Sequence, residues 1–122
     1  MQGIDRVRRV SELVRRQVSQ FILRELVDEG LGIVSVTAVD MSRDLQQATV
    51  YVSSLAQGSD IDDMLVALEE NVPAVRRDLA QSLNLRRVPH LTFRYDESVE
   101  RGRRLTKMID ELQLERAIED GA

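Results

Sequence analysis

The 122-residue sequence predicts an α+β fold, a single domain in which helices cover one face of a three-stranded sheet. Three observations predict it. Several stretches carry apolar residues at spacings of three and four, and three others alternate apolar with polar residues. The order of the two patterns is helix, strand, strand, helix, helix, strand, helix. A chain of this length buries roughly two-thirds of its unfolded surface, enough for one core without metal or disulfide support.

From Arg6 to Leu26 the apolar positions Val7, Val10, Leu13, Val14, Val18, Phe21, Ile22 and Leu26 mark one face of a long helix, with Arg8, Arg9, Arg15 and Arg16 opposite. Gly30 and Gly32 are expected to end it. Val34, Val36 and Ala38 then alternate with Ser35 and Thr37. Ala48-Thr49-Val50-Tyr51-Val52 alternates again after Ser42-Arg43-Asp44-Leu45. This is an antiparallel hairpin with Arg43 at its tip.

Ser59 is the expected cap of a second helix with Ile61, Met64, Leu65 and Leu68 inward. Asp60, Asp62 and Asp63 in its first turn complement the helix dipole; a Mg²⁺ site is the alternative such a trio invites. Asn71-Val72-Pro73 interrupts the pattern, since Pro suits the first turn of a new helix and Asn71 can cap it. The third helix should place Val75, Leu79 and Leu83 inward, Arg76, Arg77 and Asp78 outward, and end near Leu85. Arg86-Arg87-Val88-Pro89 reads as a basic connector. In the third strand, Leu91, Phe93 and Tyr95 face the core while His90, Thr92 and Arg94 face out. Ser98 is the expected cap of a last helix with Leu105, Met108, Ile109 and Leu112 as its stripe. The domain spans 4–112, and residues 113–122 form a short acidic tail expected to fray.

The net charge of −4 is unevenly spread. Residues 1–27 carry six Arg against Asp5, Glu12 and Glu25, a net of +3. Residues 28–71 carry nine acids against Arg43, a net of −8, and residues 72–107 carry nine basic residues against four acids, a net of +5. Five acids against Arg116 leave the remainder at −4. Sixteen of the 17 basic residues are Arg, whose planar fork grips phosphate at two points. GC-rich coding bias accounts for a preference for Arg but not for its segregation.

With no Cys, disulfide scaffolds, Cys zinc sites, iron–sulfur clusters and thiol nucleophiles are excluded. His90 is the lone His, which excludes a His cluster within one chain, and it has no identifiable acid–base partner. No metal, cofactor or catalytic activity is expected. No apolar run reaches the roughly 20 residues of a membrane span, and residues 1–6 show no signal-peptide core. The expectation is a cytoplasmic monomer.

The element order, with two helices meeting at a tight junction, is that of a type II KH domain. Arg9-Val10, Leu31-Gly32, Met41-Ser42-Arg43-Asp44-Leu45, Ala48-Thr49-Val50-Tyr51-Val52 and, above all, Leu85-Arg86-Arg87-Val88-Pro89-His90-Leu91-Thr92-Phe93-Arg94-Tyr95-Asp96 resemble the bacterial ribosome-binding factor A family. The resemblance runs from Arg6 to Leu112. It implies a non-enzymatic assembly factor that binds the immature small (30S) ribosomal subunit and assists maturation of the 5′ region of 16S rRNA, with a role in cold adaptation. Small-subunit rRNA is then the partner, with small-subunit ribosomal proteins as further contacts. The family carries an Ala-x-Gly kink where this chain has Asn71-Val72-Pro73; Pro keeps the bend by another route but hinders close RNA approach.

On this reading rRNA phosphates are held by Arg76, Arg77, Arg86, Arg87, Arg101, Arg103, Arg104 and Lys107, together with Arg43 and Arg9. For each, a solvated surface charge is the plain alternative. Tyr51 is the one candidate stacking platform, so recognition of shape and backbone fits better than base-by-base reading. The competing reading is a protein–protein adaptor that binds an acidic partner through its Arg-rich helix faces.

Overall fold

A computed structural model describes residues 2–26, 34–54 and 59–120, apart from the side chains at 2–4, 59, 60, 99, 100, 103 and 120. The expected helix stops Gly30 and Gly32, the Leu31-Gly32 motif and the Ser59 side chain lie outside the described residues.

Helix α1 (Gln2–Phe21) starts earlier than its apolar pattern and closes in a π-helical turn, Ile22–Leu26. Val14, Val18, Ile22 and Leu26 are fully buried, while Leu13 is 40% exposed and leaves the expected inward face. Strands β1 (Val34–Met41) and β2 (Gln47–Ser54) form the predicted antiparallel hairpin. Its register jumps at Thr37: Val36 pairs with Val52, and Ala38 with the next residue back, Tyr51. The inserted residue makes a β-bulge, which reverses the in–out parity of the rest of the strand. Ala38, expected inside, is therefore exposed, and Val39 and Met41 turn inward instead.

Helices α2 (Ser59–Glu70) and α3 (Val72–Leu83) meet at the single residue Asn71. Pro73 lies in the first turn of α3, where its missing N–H costs no helical bond. Asn71 occupies the cap position without capping: its side-chain amide instead donates to the Ala67 carbonyl of α2 at 2.8 Å. At the other end of α3, Asn84 takes a left-handed conformation (φ 51°) and turns the chain into the connector.

Strand β3 (His90–Tyr95) pairs parallel with β2, which gives the sheet order β1-β2-β3. Parallel pairing requires a long crossover, and α2 and α3 supply it. Helices α1, α2 and α3 cover one sheet face, where Val50, Val52, Leu68, Val75 and Leu79 join the α1 residues in one core. Each such side chain contributes about 1.5–3 kcal/mol by burial. The Glu69 carboxylate accepts the Phe93 N–H at 2.9 Å, so α2 satisfies a donor on the outer edge of β3.

Helix α4 (Glu97–Asp120) is capped by Asp96, two residues before the expected Ser98, since the Asp96 carboxylate accepts both the Ser98 amide (3.0 Å) and its hydroxyl. It runs through residues 113–120, where fraying was expected; Glu, Leu, Gln, Arg and Ala in that stretch are strong helix formers. Leu105, Met108, Ile109 and Leu112 are 46–59% exposed, so the stripe does not join the core. No helix among the described residues is long and apolar enough to cross a membrane.

Candidate nucleic-acid interface

Because β2 and β3 run parallel, their first residues lie at the same end of the sheet. The His90 N–H donates to the Gln46 carbonyl at 2.8 Å, which joins the start of β3 to the hairpin turn. The turn at 42–46 and the connector at 84–89, about 40 residues apart in the sequence, thus meet in space. Arg43 from the turn and Arg86 and Arg87 from the connector are all exposed there, and none forms an ion pair with a described residue.

The turn is built to hold its shape. The Ser42 hydroxyl donates to Asp44 Oδ1 (2.6 Å) and accepts the Gln47 N–H (3.0 Å), while the Gln46 N–H reaches the same Asp44 oxygen at 3.0 Å. Leu45 adopts φ 62° to close the loop and packs against the core. The Ser42 hydroxyl, and then the Gln46 amide, hold the Asp44 carboxyl below its ordinary value. Arg43 is therefore presented from a rigid tip.

Arg76 departs from its expected outward position. It is half-buried, with Nε donating to the Pro89 carbonyl and Nη2 to the Val88 carbonyl, both at 3.1 Å. These carbonyls precede the strand and need donors, and the guanidinium fork supplies two. Arg76 staples the connector to α3, whereas its neighbour Arg77 is exposed. Asp78, also expected outward, is only 16% exposed at its side chain. It accepts Gln17 (2.8 Å) and Arg24 (3.1 Å), and so joins α3 to α1 and to the π turn.

The remaining basic candidates are not gathered into the same patch. Arg101, Arg104 and Lys107 follow β3 rather than precede it, so the length of that strand, roughly 17 Å, separates them from Arg86 and Arg87. Arg101 pairs with Glu97 at 3.3 Å, and Lys107 is exposed. The Arg103 side chain lies outside the described residues. Arg9 is exposed on α1, where Arg15 and Arg16 are engaged by Glu12. At the kink, Pro73 is exposed and Asn71 and Val72 are half-buried.

Asp96 organises this second end. Besides capping α4, it accepts the Thr37 hydroxyl at 2.5 Å, and its own N–H donates to the Val52 carbonyl at 2.7 Å. The Ser98 and Thr37 hydrogen bonds hold its carboxyl below the ordinary range. Arg94, which was not among the sequence candidates, stands opposite Tyr51 in the β2–β3 register. Alternation could show that Arg94 faces out, but only strand pairing shows what it faces beside.

The ribosome-binding factor A family model matches residues 6–109. The chain is 42% identical over 117 residues to ribosome-binding factor A of Microcystis aeruginosa, covering 94% of this chain and 91% of that protein. It is 41% identical to the Synechocystis protein of the same name, again over 117 residues, covering 94% and 88%. The fold is similar to the crystal structure of ribosome-binding factor A from Thermus thermophilus, with TM-score 0.64 and 26% identity, covering 73% of this chain and 94% of that one. It is also similar to the homology model of the T. thermophilus protein as fitted into the cryo-EM map of a 30S complex of ribosome-binding factor A, with TM-score 0.61 and 26% identity, covering 71% and 91%.

Proposed function

The chain belongs to the ribosome-binding factor A family, and from that premise we propose that it binds the immature small (30S) ribosomal subunit and assists maturation of the 5′ region of 16S rRNA. The observation that carries this reading is the similarity to the T. thermophilus protein fitted on its 30S subunit, which extends over 71% of this chain. The protein acts by binding, catalyses no reaction itself, and works in the cytoplasm, where the small subunit is assembled.

Arg43, Arg86 and Arg87 grip rRNA phosphates from the hairpin-and-connector end of the sheet, Arg77 adds a contact from the exposed side of α3, and Arg76 sets the connector's position. Four exposed guanidinium groups on elements fixed by backbone bonds suit a folded RNA whose phosphates are themselves fixed. The acidic stretch from Asp28 to Asn71 keeps the protein from docking in other orientations. Charge reversal of Arg43, Arg77, Arg86 and Arg87 to Glu, followed by sedimentation with immature small subunits, tests the assignment. Loss of co-sedimentation is expected, and retention overturns it.

A further inference from the structure

The sheet face opposite the helices carries one aromatic ring, that of Tyr51, in the central strand. Its neighbours Val50 and Val52 point into the core, while Tyr51 is half-buried on the other side. Across the parallel pair its partner is Arg94, whose exposed side chain bonds to no described residue. Tyr51 and Arg94 line a groove of about 960 Å³ that wraps the end of β3, together with Arg101 and Arg104 from the first turns of α4, Tyr95 from β3 and Ile61 from α2.

The groove also holds acids, and two of the three are already engaged. Asp96 is occupied by Ser98 and Thr37, and Glu97 by Arg101; Asp62 lies on the α2 side. The Glu97–Arg101 pair is exposed on both sides, so exchanging that carboxylate for a phosphate costs little.

We propose that this groove takes one unpaired nucleotide of the bound RNA, its base stacked on Tyr51 and its flanking phosphates held by Arg94 and Arg101. The inference rests on the RNA-binding reading above. It adds a site at the far end of β2–β3 from Arg43, Arg86 and Arg87. An aromatic face among guanidinium groups matches the two halves of a nucleotide, because every base offers a π-face and every linkage a charge. A base in a duplex is stacked on its neighbours and cannot use such a platform, so the ligand is single-stranded. An acidic peptide would use the arginines but leave the ring idle.

The chain has two Tyr and no Trp, and Tyr95 also lines the groove, so quenching in the parent is compared with quenching in Tyr51→Phe, and the difference reports Tyr51. The full chain is titrated with hexauridylate, with a six-unit abasic ribose-phosphate oligomer and with hexaglutamate. Hexauridylate should quench Tyr51. In separate titrations of labelled probe, Tyr51→Ala should weaken hexauridylate binding about tenfold, the loss of one stack. Tyr51→Phe, which keeps the ring, should bind as the parent does, and the abasic oligomer should not distinguish the variants. Equal hexauridylate affinity in the parent and Tyr51→Ala overturns the proposal, as does tighter binding of hexaglutamate. Sedimentation of the parent with immature small subunits separates the two readings: if it co-sediments while Tyr51 proves indifferent to base, only this inference falls.

Discussion

Arg76 lies one residue from Arg77, yet the two do opposite things: Arg76 commits its fork to the carbonyls of Val88 and Pro89 at 3.1 Å, and Arg77 faces solvent. Sequence proximity and identical chemistry conceal this division, which arises from the roughly 100° turn between successive helical residues.

Arg76→Ala should therefore destabilise the fold by about 1–3 kcal/mol, the range for charge-assisted hydrogen bonds to partly buried carbonyls. Arg77→Glu should change stability by no more than about 0.5 kcal/mol while weakening binding to small subunits. Urea denaturation alongside sedimentation checks both. Equal stability losses would mean that the connector does not depend on Arg76.

The three arginines at the hairpin-and-connector end should account for a measurable part of the salt dependence. Replacing Arg43, Arg86 and Arg87 one at a time with Gln is expected to lower the slope of log K against log salt by about one for each phosphate left without its guanidinium. Binding measured across a salt series checks this. An unchanged slope in all three variants would place the phosphate-gripping residues elsewhere.

Asp96 joins the bulge of β1 to the start of α4, and Asp96→Ala should cost about 1 kcal/mol through loss of the cap alone. Its carboxyl is held below the ordinary aspartate value in the folded protein. The stability this confers is therefore complete above the unfolded value and is lost as pH falls through the folded one. Thermal unfolding between about pH 6 and pH 2 should show a smaller acid-side decline in Asp96→Asn than in the parent. Parallel declines would show that the carboxylate contributes nothing.

Burial separates α3 from α4 in the same way. Leu79→Ala empties a site with no solvent exposure and should cost about 2–5 kcal/mol. Leu112→Ala, on a stripe outside the core, should alter stability by less than about 0.5 kcal/mol. A large loss at Leu112, read by chemical denaturation, would mean that α4 packs against the body in solution.

Periodicity alone determined the element types, their order and most of the core. Val14, Val18, Leu68, Val75 and Leu79 were legible because burial repeats with the helical period, and Pro73 marked the junction because Pro is tolerated in a helix only in its first turn. The family was legible separately, through the resemblance carried by contiguous residues such as those from Leu85 to Asp96.

Four features were decided only by tertiary structure. The bulge at Thr37 reversed the expected orientation of Ala38, the parallel pairing brought Arg43 beside Arg86 and Arg87, Arg76 was drawn to the connector, and Asp78 was drawn to Gln17 and Arg24 of the first helix and its π turn. Each is a hydrogen bond or strand register between residues whose partner is chosen by the fold. A helical or alternating period records which side of an element is buried, because burial acts on each residue in turn. It carries no record of which distant strand, carbonyl or hydroxyl will complete a polar group, since that partner exists only once the chain has closed on itself.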